Sequence, residues 1–513
     1  MTHITVYHLS VKIEVQNQQL KDAIDRFIQK YYTSKGMAPN PNSFPVDKRF
    51  VSKVGKNAYV MHTNQFIHML HYFKEVGMDL GEVERTDATD YEVVKHEYEV
   101  RSKWVLRDYQ IPICEFLVKD PVRSKMVSLQ TGKGKTSIAL IALAEIGMRI
   151  GVCILPAYIE KWVSDIVNIH EAKTTDIMVV SGSKAVRGLI AMARDKELTA
   201  RYYIFSSRTM QDYITAYEED PDNCVLTYGA SPFEFFQLVG IGSLLIDETH
   251  QHFHAIFKVI LYSNVRFQLG LSATLISDDP AVTRVHKIVY TDKQTYTHDE
   301  IDKYIDVYAL GYYIPDDMIR KVKTTNFGSN SYSHSAFENS MLKNKPHLPF
   351  YVSLITANLE ALYLDRYEKG DKCLIFVGTV KLATLLADLY KKLLPHLVVN
   401  RYCEDDKVEN LYESDLIIST VISSGTAVDI PNLRVVIQTV SISSAPQNIQ
   451  NLGRLRKLDN DRDTRFGYLF AENIRKQVQY HHRRQELFAP RVASHRNFKA
   501  KTTPTLKLTQ TLA

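Results

Sequence analysis

The stretch Leu129-Gln-Thr-Gly-Lys-Gly-Lys-Thr136 constrains this chain more than any other. It lies between a short apolar run, Met126 to Leu129, and a segment from Ser137 to Ile150 whose apolar residues recur at helical spacing. A Gly-rich turn that leaves a buried strand and opens a helix is where a phosphate loop forms. Gly132 and Gly134 let the backbone turn its N–H groups inward around a polyphosphate, and the helix start adds a positive dipole end. Lys135 is placed to reach the β and γ phosphates and Thr136 to ligate magnesium, with Thr131 and Lys133 as the remaining nucleotide-binding positions of the loop. The first glycine of the usual pattern is Leu129 here.

A second segment completes this chemistry. Ile241 to Ile246 reads as a buried parallel strand ending in Asp247 and Glu248, which puts two carboxylates at the carboxyl edge of a sheet, where open α/β sheets bind ligands. Asp247 is expected to hold magnesium, and Glu248 to orient or deprotonate an attacking water. Downstream, Leu271-Ser-Ala-Thr-Leu275 ends another strand. Loop, acidic pair and strand end agree on an ATP hydrolase using Mg2+.

With these motifs in order, the chain resembles the superfamily 2 helicases and translocases of the DExH type, from about Leu106 to Lys457. Leu106-Arg-Asp-Tyr-Gln110 looks like the family segment that precedes the phosphate loop, which makes Arg107 and Gln110 nucleotide-binding. Ile154-Leu-Pro156 with Trp162, and Phe205-Ser-Ser-Arg-Thr209, resemble loops that touch the nucleic-acid backbone, through Pro156 and Arg208. His250 closes the DExH string, and Ser272-Ala-Thr274 matches the motif that couples ATP to nucleic acid. A second set follows: Cys373 to Val377, then Ile417-Ile-Ser-Thr420 with Gly425 and Asp429, then Gln450-Asn-Leu-Gly-Arg-Leu-Arg-Lys457. By the resemblance Thr420 contacts nucleic acid, and Gly425, Asp429 and Gln450 serve the nucleotide.

Two spacings depart from the family. Gly425 precedes Asp429 by four residues instead of two, and strict spacing in the last motif puts Lys457 where an arginine finger belongs. An ammonium does not replace a planar bidentate donor, so Arg454 or Arg456 is expected to reach the γ-phosphate, as a catalytic residue beside Lys135, Asp247 and Glu248.

The chain of 513 residues has room for about three domains. The expected fold class is α/β, with two tandem RecA-like parallel-sheet domains and a small N-terminal α+β domain. Residues 1–100 form that small domain, with strands over Ile4 to Val15, a helix over Gln19 to Tyr32, a hairpin over Phe50 to Met61 and a helix over Asn64 to Val76. Residues 101–295 form the first RecA-like domain, 296–349 a bridge or insertion, 350–480 the second RecA-like domain and 481–513 a basic tail. The first motif lies beyond residue 100, so the two cores are expected to fold without the N-terminal domain.

A net charge of +5 excludes a generally basic coat, so any nucleic-acid surface is local. One candidate is the Lys/Arg-rich stretch from Ala471 to Ala513, interleaved with Tyr480, Phe488 and Phe498, which can track phosphates and stack bases. Met1 to Gln19 does not read as a secretory signal, and Glu145 and Arg149 interrupt the most apolar stretch, so no membrane association is expected. Five cysteines without paired spacing fit a reducing cytoplasm, the host's if the gene is a phage's. His250, His252 and His254 lack further ligands at metal spacing.

In layout, the compact cores and N-terminal domain most resemble phage UvsW-type helicases, relatives of the RecG and XPB types. This implies a motor that unwinds, reanneals or branch-migrates forked or junction DNA in replication, recombination or repair. An RNA helicase, or the ATP-driven motor subunit of a nuclease or regulatory complex, fits the same motifs.

Overall fold

The computed structural model describes residues 2–34, 47–119, 123–130, 132–249, 253–272, 279–297, 302–326, 331–403, 406–421, 429–458 and 462–500. Thr131, His250, Thr274 and Gly425 of the expected site lie outside the described residues, as does the end of the basic stretch, 501–513. The chain divides into two units, Met1–Leu129 with Lys133–His298, and Asp299–Ala513 with Gln130–Gly132.

The first unit opens with β1 (Thr2–Val6), β2 (Ser10–Val15), α1 (Gln18–Tyr31), β3 (Thr33–Ser34), β4 (Lys48–Arg49), β5 (Ser52–Val54), β6 (Ala58–His62), α2 (Thr63–Glu75) and β7 (Val83–Asp87). Asn17 caps α1 by accepting from the backbone of Gln19 and Leu20. Five of these strands form one mixed sheet in the order β5-β6-β2-β1-β7, with β7 parallel to β1 and the other pairs antiparallel.

The same unit continues with α3 (Ile111–Val118), β8 (Ser124–Ser128), α4 (Lys135–Ile146), β9 (Ile150–Ile154), α5 (Ile159–Ile169), β10 (Ile177–Val180), α6 (Ser183–Arg194) and β11 (Tyr202–Ser206). It closes with α7 (Ser207–Glu219), α8 (Pro221–Tyr228), α9 (Pro232–Val239), β12 (Ser243–Ile246), α10 (Phe253–Tyr262), β13 (Phe267–Ser272), α11 (Pro280–Val289) and β14 (Thr295–Thr297). Seven strands form a wholly parallel sheet, β10-β11-β9-β12-β13-β8-β14. Parallel strands need crossovers, and the intervening helices supply them. The near-continuous apolar strands, such as Ile150–Ile154 and Ser243–Ile246, are buried along their whole length, as a sheet covered on both faces requires.

The N-terminal sheet and one face of this parallel sheet share a single apolar core, which runs from Ile4, Val11 and Ile13 through Phe233, Phe257 and Ile260 to Phe205 and Ile246. Tyr7 stacks on Phe233 of α9 at 4.2 Å, and Phe50 packs against Phe253 and Phe257 of α10. Polar contacts seal the seam: the Ser10 hydroxyl donates to the Leu261 carbonyl, and the Asn264 side chain accepts from the His8 backbone and donates to the Ala88 carbonyl.

The second unit comprises β15 (Ile305–Tyr312), α12 (Asp316–Ile319), α13 (His334–Lys343), α14 (His347–Leu362), β16 (Lys372–Val377), α15 (Val380–Leu393), β17 (Val399–Tyr402) and α16 (Glu409–Glu413). It then runs through β18 (Leu416–Thr420), β19 (Leu433–Gln438), α17 (Ala445–Leu452), β20 (Thr464–Ala471), α18 (Arg475–Phe488) and β21 (Ser494–Lys499). Its sheet is again seven-stranded and parallel, β17-β18-β16-β19-β20-β15-β21, with an apolar core on each face. The fold is two tandem RecA-like α/β sheets with an N-terminal mixed sheet.

Two stretches differ from expectation. Residues 296–349 are not a bridge or insertion: β14 completes the first sheet, and β15 pairs with β20 and β21 inside the second. The alternation of buried and half-buried residues along Ile305–Tyr312 is the strand signal, masked in the sequence by polar, aromatic-rich flanks. Residues 481–500 are not a free basic tail, because α18 packs on β20 and β21 belongs to the second sheet. Phe488 is core, Arg484 is fully buried over the Tyr468 ring, and Tyr480 packs edge-on against Tyr332.

Candidate active site

Every strand of the first RecA-like sheet runs the same way, so the turns after β8, β9, β11, β12 and β13 open on one carboxyl edge. After β8, the loop reaches α4 through Gly132 (φ 88°) and Gly134 (φ 75°), both in the left-handed region that favours glycine. A Cβ at Gly134 would also stand 2.6 Å from the Gln110 amide nitrogen, so that side chain would have to shift from its place against the loop. That amide donates to the Lys133 carbonyl at 3.0 Å, while its oxygen accepts from the Arg107 backbone at 2.9 Å. Arg107 and Gln110 are thus drawn to the loop. Leu129, where the usual pattern has glycine, is buried, and its N–H donates to the Ser272 carbonyl at the end of β13.

Lys135 and Thr136 form the first turn of α4, and the Lys135 ammonium donates to the Leu129 carbonyl at 3.2 Å. Asp247 and Glu248 follow β12 directly. Asp247 is half-buried, and its carboxyl is pushed above the usual range by desolvation and by the adjacent Glu248, against the opposing pull of Lys161 and Lys135. Its Oδ1 accepts from the Glu248 N–H at 2.9 Å, and its Oδ2 accepts from the Trp162 indole N–H at 3.1 Å. Glu248 itself sits at φ 52°, a conformation costing a non-glycine residue about 1–3 kcal/mol and common at functional sites. Thr249 ties this turn to the neighbouring strand by donating to the Leu271 carbonyl.

A magnesium ion fits these residues. The Asp247 carboxylate and the Thr136 hydroxyl are hard oxygen donors, and a divalent cation would offset the burial that disfavours ionised Asp247.

The other expected positions divide by sheet. On the first, Pro156 is exposed in the turn that leads into α5, Arg208 is exposed in the first turn of α7, and Ser272 ends β13 buried. On the second, Thr420 ends β18, Gln450 lies on α17, and Arg454, Arg456 and Lys457 follow that helix. Arg454 is largely buried, close enough for its charge to act on the Tyr402 hydroxyl. Arg456 pairs with Asp429 at 3.4 Å and donates to the Gly453 carbonyl, whereas Lys457 is exposed.

Contacts made across long stretches of chain were not foreseeable from motif spacing. Trp162 reaches Asp247 from a different strand–helix unit. Arg484 of α18 donates to the Asn448 side chain and the Val440 carbonyl, and Asn451 donates to Gln438, so α17 is held from two sides. The only local hint was Lys161 and Asp165 at helical spacing beside Trp162.

No family model matches the chain. A protein of Sulfolobus islandicus filamentous virus (isolate Iceland/Hveragerdi), named "Putative helicase 22", is 23% identical over 245 residues, a match covering 44% of this chain and 41% of that protein. The chain therefore spans less than half the length of that relative. Among solved structures, S. cerevisiae Dbp5 bound to RNA and ADP BeF3 superposes with a TM-score of 0.48 and 12% identity, over 76% of this chain and 89% of that one. The Pyrococcus furiosus Hef helicase domain gives 0.41 and 13%, over 73% of this chain and 98% of that one. No helix among the described residues is long and apolar enough to cross a membrane.

Proposed function

We propose that the chain is an ATP-dependent nucleic-acid motor of the superfamily 2 helicase type, acting on forked or branched DNA. The observation that carries this reading is the convergence of the phosphate loop, Lys135, Asp247 and Glu248 on one carboxyl edge of a parallel sheet. The name of the viral relative agrees with it. The choice of DNA, and of junctions over plain duplex, rests on the resemblance in sequence layout to UvsW-type helicases.

In this reading Arg107 and Gln110 serve the nucleotide end of the site, the loop N–H groups hold the phosphates, and Lys135 neutralises the β and γ oxygens. Magnesium, held by Thr136 and Asp247, supplies further charge neutralisation when bound. Glu248 orients the attacking water and takes its proton as the new bond to the γ-phosphorus forms and the bond to the bridging oxygen breaks, leaving ADP and phosphate. Arg454 or Arg456 stabilises the charge that develops in between. Pro156, Arg208 and Thr420 contact the nucleic-acid backbone, and His250, Ser272 and Thr274 link that contact to the nucleotide.

The test is ATP turnover measured side by side with single-stranded DNA, duplex, forked DNA and RNA. Turnover stimulated most by forked DNA is expected. Stimulation by RNA alone would overturn the choice of polymer. Lys135→Ala should abolish hydrolysis, and Glu248→Gln should bind ATP while hydrolysing it very slowly; near-normal turnover in either variant would sink the site.

A further inference from the structure

We propose that Trp162 is a positioning residue for Asp247, through which α5 makes the acidic pair responsive to what occupies the turn in front of that helix. The inference rests on the nucleotide and nucleic-acid reading above. Trp162 is fully buried, and its indole N–H donates to Asp247 Oδ2 at 3.1 Å. The other oxygen of Asp247 is already taken by the Glu248 N–H, so the two donors together fix the plane of the carboxylate. One turn of α5 adds charge around it. Lys161 favours the ionised carboxylate, and Asp165, 3.8 Å from Lys161, lies close enough to Asp247 for the two acids to repel.

α5 is tied down at its far end as well. Arg101 donates to the carbonyls of Val167 and His170, the Trp104 indole donates to the Asn168 carbonyl at 2.8 Å, and Lys103 donates to the Asn168 side chain. These bonds satisfy the open carbonyls of the helix end, so α5 behaves as a short rod. Its other end follows directly from the turn Pro156–Tyr158, where Pro156 and Ala157 are exposed on the same carboxyl edge as the phosphate loop. A strand of nucleic acid lying on that turn presses on the helix that aims Asp247. A buried tryptophan that merely fills the core would need a polar partner for its N–H, but that partner need not be the carboxylate expected to hold the metal.

Trp104 bonds the far end of α5 and Trp162 stands near its start, so the two tryptophans of the chain make the proposal directly observable. The difference in emission between the wild type and Trp162→Phe isolates the Trp162 indole while keeping the bond from Trp104 to Asn168. The Trp162 emission is expected to change on adding magnesium with a non-hydrolysable ATP analogue, and also on adding single-stranded oligonucleotide alone. Oligonucleotide that binds by anisotropy without altering that emission would overturn the proposal. Separately, Trp162→Phe keeps most of the ring and loses the donor. It should lower the kcat stimulated by oligonucleotide by roughly tenfold, the worth of one hydrogen bond to a charged acceptor, with KM for ATP within about twofold of wild type. An unchanged ratio of stimulated to basal turnover in a folded Trp162→Phe protein overturns the proposal and leaves the nucleotide site standing. Failure of the wild-type chain to bind nucleotide or oligonucleotide overturns the site reading itself, and this inference with it.

Discussion

At the scale of single residues, the catalytic arginine is the assignment most exposed to test. Strict motif spacing offers Lys457, which is exposed, while the two arginines before it are held within the second sheet's own structure: Arg454 largely buried beside Tyr402, and Arg456 paired with Asp429. A guanidinium already oriented by a carboxylate loses less side-chain entropy when it meets a phosphate than a free lysine does. Replacing the true finger, Arg454 or Arg456, should lower turnover by roughly three to five powers of ten, and Lys457→Ala far less. Steady-state hydrolysis by the three alanine variants decides this, and the largest loss at Lys457 would show that family spacing holds. The loop and acidic-pair candidates were legible because each lies within a few positions of a glycine or a strand end, whereas Arg107 and Gln110 came only from the family resemblance. Trp162, Asn448 and Arg484 were not, since their partners lie on other strand–helix units and no periodicity encodes such a meeting.

Elements of the second sheet are held by buried polar groups that composition could not reveal. Glu338 of α13 is wholly buried, and its Oε1 accepts from the Gly378 N–H at 2.9 Å, just before Thr379 caps α15. Burial raises its carboxyl to about 7. His334, one turn earlier, accepts at Nδ1 from the Ser441 N–H and is held neutral, lowered to about 3 by burial. The sign for Glu338 follows from its raised value in the folded state. Between its ordinary value of 4.5 and about 7 the unfolded chain gives up this proton while the folded chain keeps it, so stability falls as pH rises and the loss levels off above that range. His334 works oppositely, costing stability as pH falls below 6.5. Glu338→Gln keeps an acceptor for Gly378 and removes the first effect alone. From about pH 5 to about pH 8 its stability relative to wild type should therefore rise by about 2–3 kcal/mol, read from urea midpoints at each pH. A difference that stays flat would mean the carboxyl titrates normally. The same sheet shows how flanks mislead: β15 carries a clear two-residue alternation, yet its polar surroundings read as a linker.

For the molecule as a whole, the question is whether the N-terminal sheet is a detachable grip. All the motifs lie beyond residue 100, which suggests that the cores would stand alone. The packing argues otherwise. Phe233, Phe253, Phe257 and Leu261 are each under 5% exposed in a core they share with Tyr7, Phe50 and the strands around Ile13. Val93 and Val94 add to the seam, lying against Gly242 and Gly240 so closely that a Cβ at either glycine would fall within 2.7 Å of them. Uncovering four large apolar side chains at about 1.5–3 kcal/mol each removes on the order of 10 kcal/mol, as much as the total stability of an ordinary domain. A chain lacking residues 1–100 should therefore unfold or aggregate, and lose nucleotide binding along with any work on branched DNA. Tyr7→Ala, which removes only the ring stacked on Phe233, should instead lower the melting temperature while leaving basal ATP turnover per folded molecule unchanged, because the phosphate loop and acidic pair lie at the carboxyl edge of the sheet. Circular dichroism and fluorescent-nucleotide binding on the truncated chain test the claim. A soluble, cooperatively melting truncation that still binds nucleotide would show that the shared core is dispensable and that the N-terminal sheet is a module added to a self-sufficient motor.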